Sequence, residues 1–64
     1  MAITIKAARV NVGLTQEEAA KELEISRATL ASYEAGRTYP DIELGKKMAK
    51  LYKTTVDNLI FSAN

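Results

Sequence analysis

Sixty-four residues with 47% hydrophobic but only 6% aromatic side chains, no Cys and no His bound the chain tightly. They leave room for one domain (1–64) and exclude disulfides, thiol chemistry, the usual zinc sites and histidine acid–base catalysis. A net charge of +1 is neutral with respect to nucleic acid, so any case for it must rest on where the charges sit.

The first expected helix lies within Met1–Val12. Ile5, Ala8, Arg9 and Val12 recur at helical spacing, Thr4 is the candidate N-cap and Gly13 ends the helix as a C′ glycine. Leu14 stands between Gly13 and the next cap, where it can staple the following turn. The stretch from Thr15 to Tyr33, TQEEAAKELEISRATLASY, then reads as two short helices. Thr15 with Glu18 makes a capping box, and Ser26 caps the second helix. Only Glu24 and Ile25 separate them, and so short a turn forces a steep crossing, the helix-turn-helix geometry. Ala19, Ala20 and Leu23 form the inward face of helix 2, whose small alanines let another helix approach closely.

At about 100° per residue, Leu30 centres the buried side of helix 3, with Tyr33 and Glu34 on the same side. Arg27, Ala28, Ala31 and Ser32 face outward. Small side chains with one arginine near the N-terminus suit a major groove better than the Lys and Glu of an ordinary surface helix. Ala35-Gly36 ends this helix, and 37–40 is a connector. Asp41 caps helix 4, with Leu44, Met48, Leu51 and Tyr52 in one apolar stripe and Ile42 and Ala49 in a second. Gly45 suggests a close helix crossing. Thr55 is expected to cap a fifth short helix, with Val56, Leu59 and Ile60 or Phe61 closing the core. The lysines of helix 4 (Lys46, Lys47, Lys50, Lys53) and the acids of helix 2 (Glu17, Glu18, Glu22, Glu24) read as solvated faces. The fold class expected is all-α, a compact five-helix bundle.

Helical phase also places Arg9 and Glu34 on inner faces. An unpaired buried carboxylate is costly, so the two are expected to pair, Arg9 forking onto Glu34. The alternative is that both lie solvated at the rim.

The stretches AARVNVGLTQEEAAKEL, ISRATLASYEAGRTYPD and MAKLYKTTVDNLI resemble the lambda-repressor-like (Cro-type, XRE-family) helix-turn-helix domains, over almost the whole chain. The resemblance implies a five-helix bundle that binds double-stranded operator DNA, commonly as a homodimer, and it commonly pairs residues at the positions of Arg9 and Glu34. It implies base reading by Arg27, Ala28 and Ser32. It implies backbone contacts by Gln16, Thr29, Arg37 and, more weakly, Tyr39. Many members carry Gly in the turn where this chain has Glu24; if that position needs positive φ, Glu24 is strained.

The function expected is a sequence-specific transcriptional regulator, a repressor of phage or prophage type or a small standalone regulator. It would need no cofactor and no metal. It would work in a bacterial cytoplasm or a phage's host, away from the membrane. The competing reading is a protein-interaction module, such as an antitoxin or assembly domain. That reading wants exposed Leu, Phe, Trp or Met on helix 3, which has none. An enzyme is disfavoured, because no nucleophile is paired with a base and no phosphate loop is present. The dimer contact would come from helix 4, helix 5 and the turn 53–55, with Val56, Ile60 and Phe61 as apolar candidates that could equally be core.

Overall fold

A computed structural model describes residues 2–61. Four α-helices are bracketed by a minimal parallel ladder: β1 (Ile3–Thr4), α1 (Ile5–Asn11), α2 (Gln16–Leu23), α3 (Arg27–Glu34), α4 (Ile42–Leu51), then a single 3-10 turn (Val56–Asn58) and β2 (Leu59–Ile60). The expected fifth helix is therefore replaced by one tight turn and a strand. Thr55 makes no side-chain cap there, and the next residues extend to pair with β1, Ile3 opposite Leu59 and Thr4 opposite Ile60. Leu59 is buried by this pairing, while Val56 and Phe61 pack half-buried against the core. The fold is thus helical with one parallel ladder joining its two ends, and not a bundle of five helices.

Short polar side chains start each helix. Thr4, Thr15, Ser26 and Asp41 accept from the backbone N–H three residues on, at Ala7, Glu18, Thr29 and Leu44. Each such cap satisfies one of the helix's orphan donors and contributes about 1 kcal/mol. Glu18 completes the capping box by accepting from the Thr15 N–H at 2.9 Å. The backbone and hydroxyl bonds from Thr15 hold its carboxyl below the usual carboxylate range. At the other ends, Gly13 and Gly36 take φ of +77° and +76° beyond α1 and α3, the left-handed conformation that costs glycine nothing.

Glu24 closes α2 at φ +60°, ψ +38°. The turn therefore does require the left-handed region, at a strain of roughly 1–2 kcal/mol for a residue with a Cβ. Lys53 adopts φ +58° beyond α4, a second strained turn that nothing in its residue type announces.

The core consists of Ile5, Ala8, Ala19, Ala20, Leu23, Leu30, Met48, Ala49, Tyr52 and Leu59. Two expectations for α4 fail. Ile42 is 63% exposed, because it is the first helical residue of α4 and stands at the open end of the face it shares with the buried Gly45 and Ala49. Gly45 is buried, but its neighbour is the Phe61 ring, with Cζ 3.5 Å from where a Cβ would stand. A returning aromatic, and not a crossing helix, occupies that side. Among the described residues, no helix is long and apolar enough to cross a membrane.

Candidate nucleic-acid interface

The helix-turn-helix is built by α2 and α3, which share the most extensive helix–helix contact in the fold. An eight-residue helix is marginal by itself, so α3 depends on what grips its inner side. One grip is Leu30, fully buried and stabilising by about 1.5–3 kcal/mol. The other is Glu34. Its Oε2 accepts from Arg9 Nε at 2.7 Å and its Oε1 from Arg9 Nη2 at 3.2 Å. Arg9 Nη1 continues to the Leu14 carbonyl at 2.8 Å. The two side chains are 9% and 4% exposed, so this is a fork buried inside the fold and not a solvated pair at its rim. Three segments meet at one carboxylate: α1, the α1–α2 loop and the end of α3.

Gln16 joins the same group, its Nε2 donating to Glu34 Oε1 at 2.9 Å. The first residue of α2 is thereby fixed relative to the last residue of α3. An ionised carboxylate only accepts, so the Gln16 amide is held with its nitrogen toward Glu34. The second N–H of that nitrogen remains available.

On the outer side of α3, Arg27 and Ala28 are exposed, and Ala31 and Ser32 are half-buried. Ser26 accepts from the Thr29 N–H at 3.0 Å and donates its own hydroxyl to Thr29 Oγ1 at 2.8 Å. The Thr29 side chain is thus oriented by the cap, with its own hydroxyl proton left to give. Past α3, the Arg37 N–H donates to the Ser32 carbonyl at 3.0 Å, which ties the start of the connector to the helix while the Arg37 side chain is exposed. Tyr39 is 64% exposed.

An open groove of about 640 Å³ runs where α1, α2 and α3 approach, lined by Lys6, Arg9, Thr15, Gln16, Glu17 and Arg27. It brings together two of the DNA contacts expected from sequence, Gln16 and Arg27, with Arg9 of the expected ion pair. Arg37 and Tyr39 do not line it. Lys6 escaped the reading of the sequence, although it lies one helical turn before Arg9 and so shares its side of α1.

This architecture matches a helix-turn-helix family model over residues 5–59. The chain belongs to the XRE-type helix-turn-helix family of DNA-binding transcription regulators. It is similar to the HTH-type transcriptional activator BcrR of Enterococcus faecalis, 36% identical over 52 residues that make up 81% of this chain and 26% of that protein. It is also similar to the HTH-type transcriptional regulator ImmR of Bacillus subtilis, 38% identical over 88% of this chain and 44% of that protein. A third relative is an uncharacterized HTH-type transcriptional regulator of Archaeoglobus fulgidus, 32% identical over 92% of this chain and 84% of that protein. The chain thus spans about a quarter of the first, under half of the second and most of the third. No solved structure matches it significantly.

Proposed function

We propose that this chain binds double-stranded DNA sequence-specifically, laying α3 in the major groove and acting chiefly as a repressor. The observation that carries this reading is the two-sidedness of α3. Its inner side is locked by Leu30 and by the Glu34 fork, and its outer side offers Arg27 and Ala28 to solvent. Arg27 would donate two hydrogen bonds to guanine O6 and N7, Ala28 would rest on a thymine methyl, and Ser32 would donate or accept. Gln16, Thr29, Arg37 and Tyr39 would grip the backbone. Phosphate contacts fix the register without reading sequence.

Repression needs nothing beyond occupying a site. One relative is named an activator, so the sign of regulation would follow from where the site lies. Useful specificity from a single short reading helix calls for two copies, so we propose a homodimer on DNA with half-sites one helical turn apart, roughly 34 Å. The setting proposed is a bacterial cytoplasm or that of a phage's host.

Selection from random duplex DNA tests the reading. The expected result is one enriched motif arranged as an inverted repeat. Recovery of the starting pool without enrichment would overturn sequence-specific binding, and a lone half-site would overturn the dimer.

A further inference from the structure

We propose that the groove between the end of α2 and the middle of α4 is a contact face for a second copy of this chain, held by reciprocal ion pairs about a two-fold axis. The inference does not depend on DNA binding. The face also differs from the dimer contact expected from the sequence, because residues 53–55, Val56, Ile60 and Phe61 lie outside it.

α2 packs against α4, and the groove of about 240 Å³ between them is lined by Glu22, Leu23, Glu24, Lys47, Lys50 and Leu51. One wall is acidic and the other basic. Glu22, Glu24, Lys47 and Lys50 are all exposed, and none of them forms an ion pair among the described residues. A pair within the chain has to span the groove and order two long side chains in water, which gains little. Leu23 is buried and Leu51 half-buried, so the floor between the walls is apolar.

The order of the charges selects the partner. A nucleic acid or an anionic membrane is drawn to the lysines and repelled by the two glutamates beside them. A basic peptide meets the reverse conflict. A partner that suits both walls carries an acidic strip beside a basic strip, in the opposite order. The same face turned by 180° about an axis running along the groove has that order. Glu22 and Glu24 of each copy then meet the Lys47 and Lys50 strip of the other, the self-complementary contact that a two-fold axis requires. A net charge of +1 leaves little general repulsion between copies. Arg27, Ala28 and Ser32 lie outside the groove, so the contact makes no use of them.

The test is sedimentation equilibrium of the chain without DNA, at about 0.01 M and about 1 M salt, where the Debye length is roughly 30 Å and 3 Å. Wild type should show a dimer that grows with protein concentration at low salt and is lost at high salt. Glu22→Lys with Glu24→Lys makes both walls basic, and Lys47→Glu with Lys50→Glu makes both acidic. Each pair of changes should weaken self-association about tenfold or more, and an equimolar mixture of the two variants should associate. All four changes in one chain exchange the walls at unchanged net charge and should restore the dimer. Glu43→Lys with Asp57→Lys adds the same charge as the first variant but outside the groove, and should associate like wild type. All the changed positions are exposed, so helical circular dichroism should be kept throughout. A wild type that stays monomeric at low salt would overturn the proposal. So would a dimer that persists at high salt and ignores the groove variants, which would place the contact elsewhere. Neither result bears on the DNA-binding reading, since no DNA is present.

Discussion

Two polar side chains lie inside the same small core, and the fold treats them in opposite ways. Arg9 is buried and gives three hydrogen bonds, two to Glu34 and one to the Leu14 carbonyl. Tyr52 is only 3% exposed, and its hydroxyl finds no partner among the described residues. The first arrangement sits beneath the proposed reading helix and fixes its end against α1 and α2. The second belongs to the residue that ends α4, near enough to the fork that the charges of Glu34 and Arg9 both act on it. Buried charge is costly unless fully satisfied. The molecule therefore satisfies completely the charged pair that holds the end of α3, and leaves unpaired a neutral hydroxyl near it, whose burial costs less than that of a charge.

The sharpest way to break this contrast is to remove one partner of the fork. Glu34→Ala leaves a buried guanidinium without its carboxylate and should cost about 3–5 kcal/mol. For a domain of this size that is most of the total stability, so urea unfolding should show little folded protein. A cycle with Arg9→Ala should be strongly non-additive, the double variant recovering part of the loss. Additive effects would mean that the fork carries no coupling.

The opposite change is expected at the other site. Tyr52→Phe removes a hydroxyl that has no partner and should stabilise by about 1–2 kcal/mol. The pH dependence should sharpen it. Burial, with the nearby Glu34 charge adding to it and Arg9 opposing, pushes the Tyr52 hydroxyl up to about 12. Between about pH 10 and 12 the folded state then holds a proton that the unfolded chain has released, so stability falls as pH rises. That loss, of order 1–3 kcal/mol, sets in above about pH 10 and does not occur in Tyr52→Phe. Alkaline unfolding should therefore come later in the variant. Coincident alkaline transitions would show that the hydroxyl is solvated after all.

A smaller effect is expected at Gly45 in α4. A Cβ there meets the Phe61 ring at 3.5 Å, an ordinary contact. Gly45→Ala should stabilise α4 by about 0.5–1 kcal/mol in thermal or urea unfolding. A loss instead would mean that the Phe61 ring cannot accommodate even one methyl group.

The same division marks what could be read from the sequence. Thr4, Thr15, Ser26 and Asp41 were legible as caps because a short oxygen-bearing side chain before an apolar period has a local mechanism. The turn at Glu24 was legible because only Glu24 and Ile25 separate the end of α2 from the Ser26 cap, which leaves few backbone paths. The fork was legible because helical phase put an acid and a base on facing inner sides. The parallel ladder was not, since two-residue strands carry no periodicity and their pairing joins Ile3 to Leu59 across nearly the whole chain. The neighbour of Gly45 was hidden for the same reason, because it depends on where the C-terminal segment returns and no local pattern states that. At the candidate interface, Arg27 was singled out by helical phase and Gln16 only by the family resemblance, whereas Lys6 lines the groove only once α1 is docked.

The central claim is that the outer side of α3 reads bases through Arg27. The most direct measurement is the affinity of wild type and Arg27→Ala for a selected duplex and its single base-pair variants. The account expects Arg27→Ala to lose about 1–3 kcal/mol on the selected duplex and to lose its preference at one base pair, with preferences elsewhere kept. An equal loss on every duplex, with all preferences intact, would make Arg27 a backbone contact and contradict the claim.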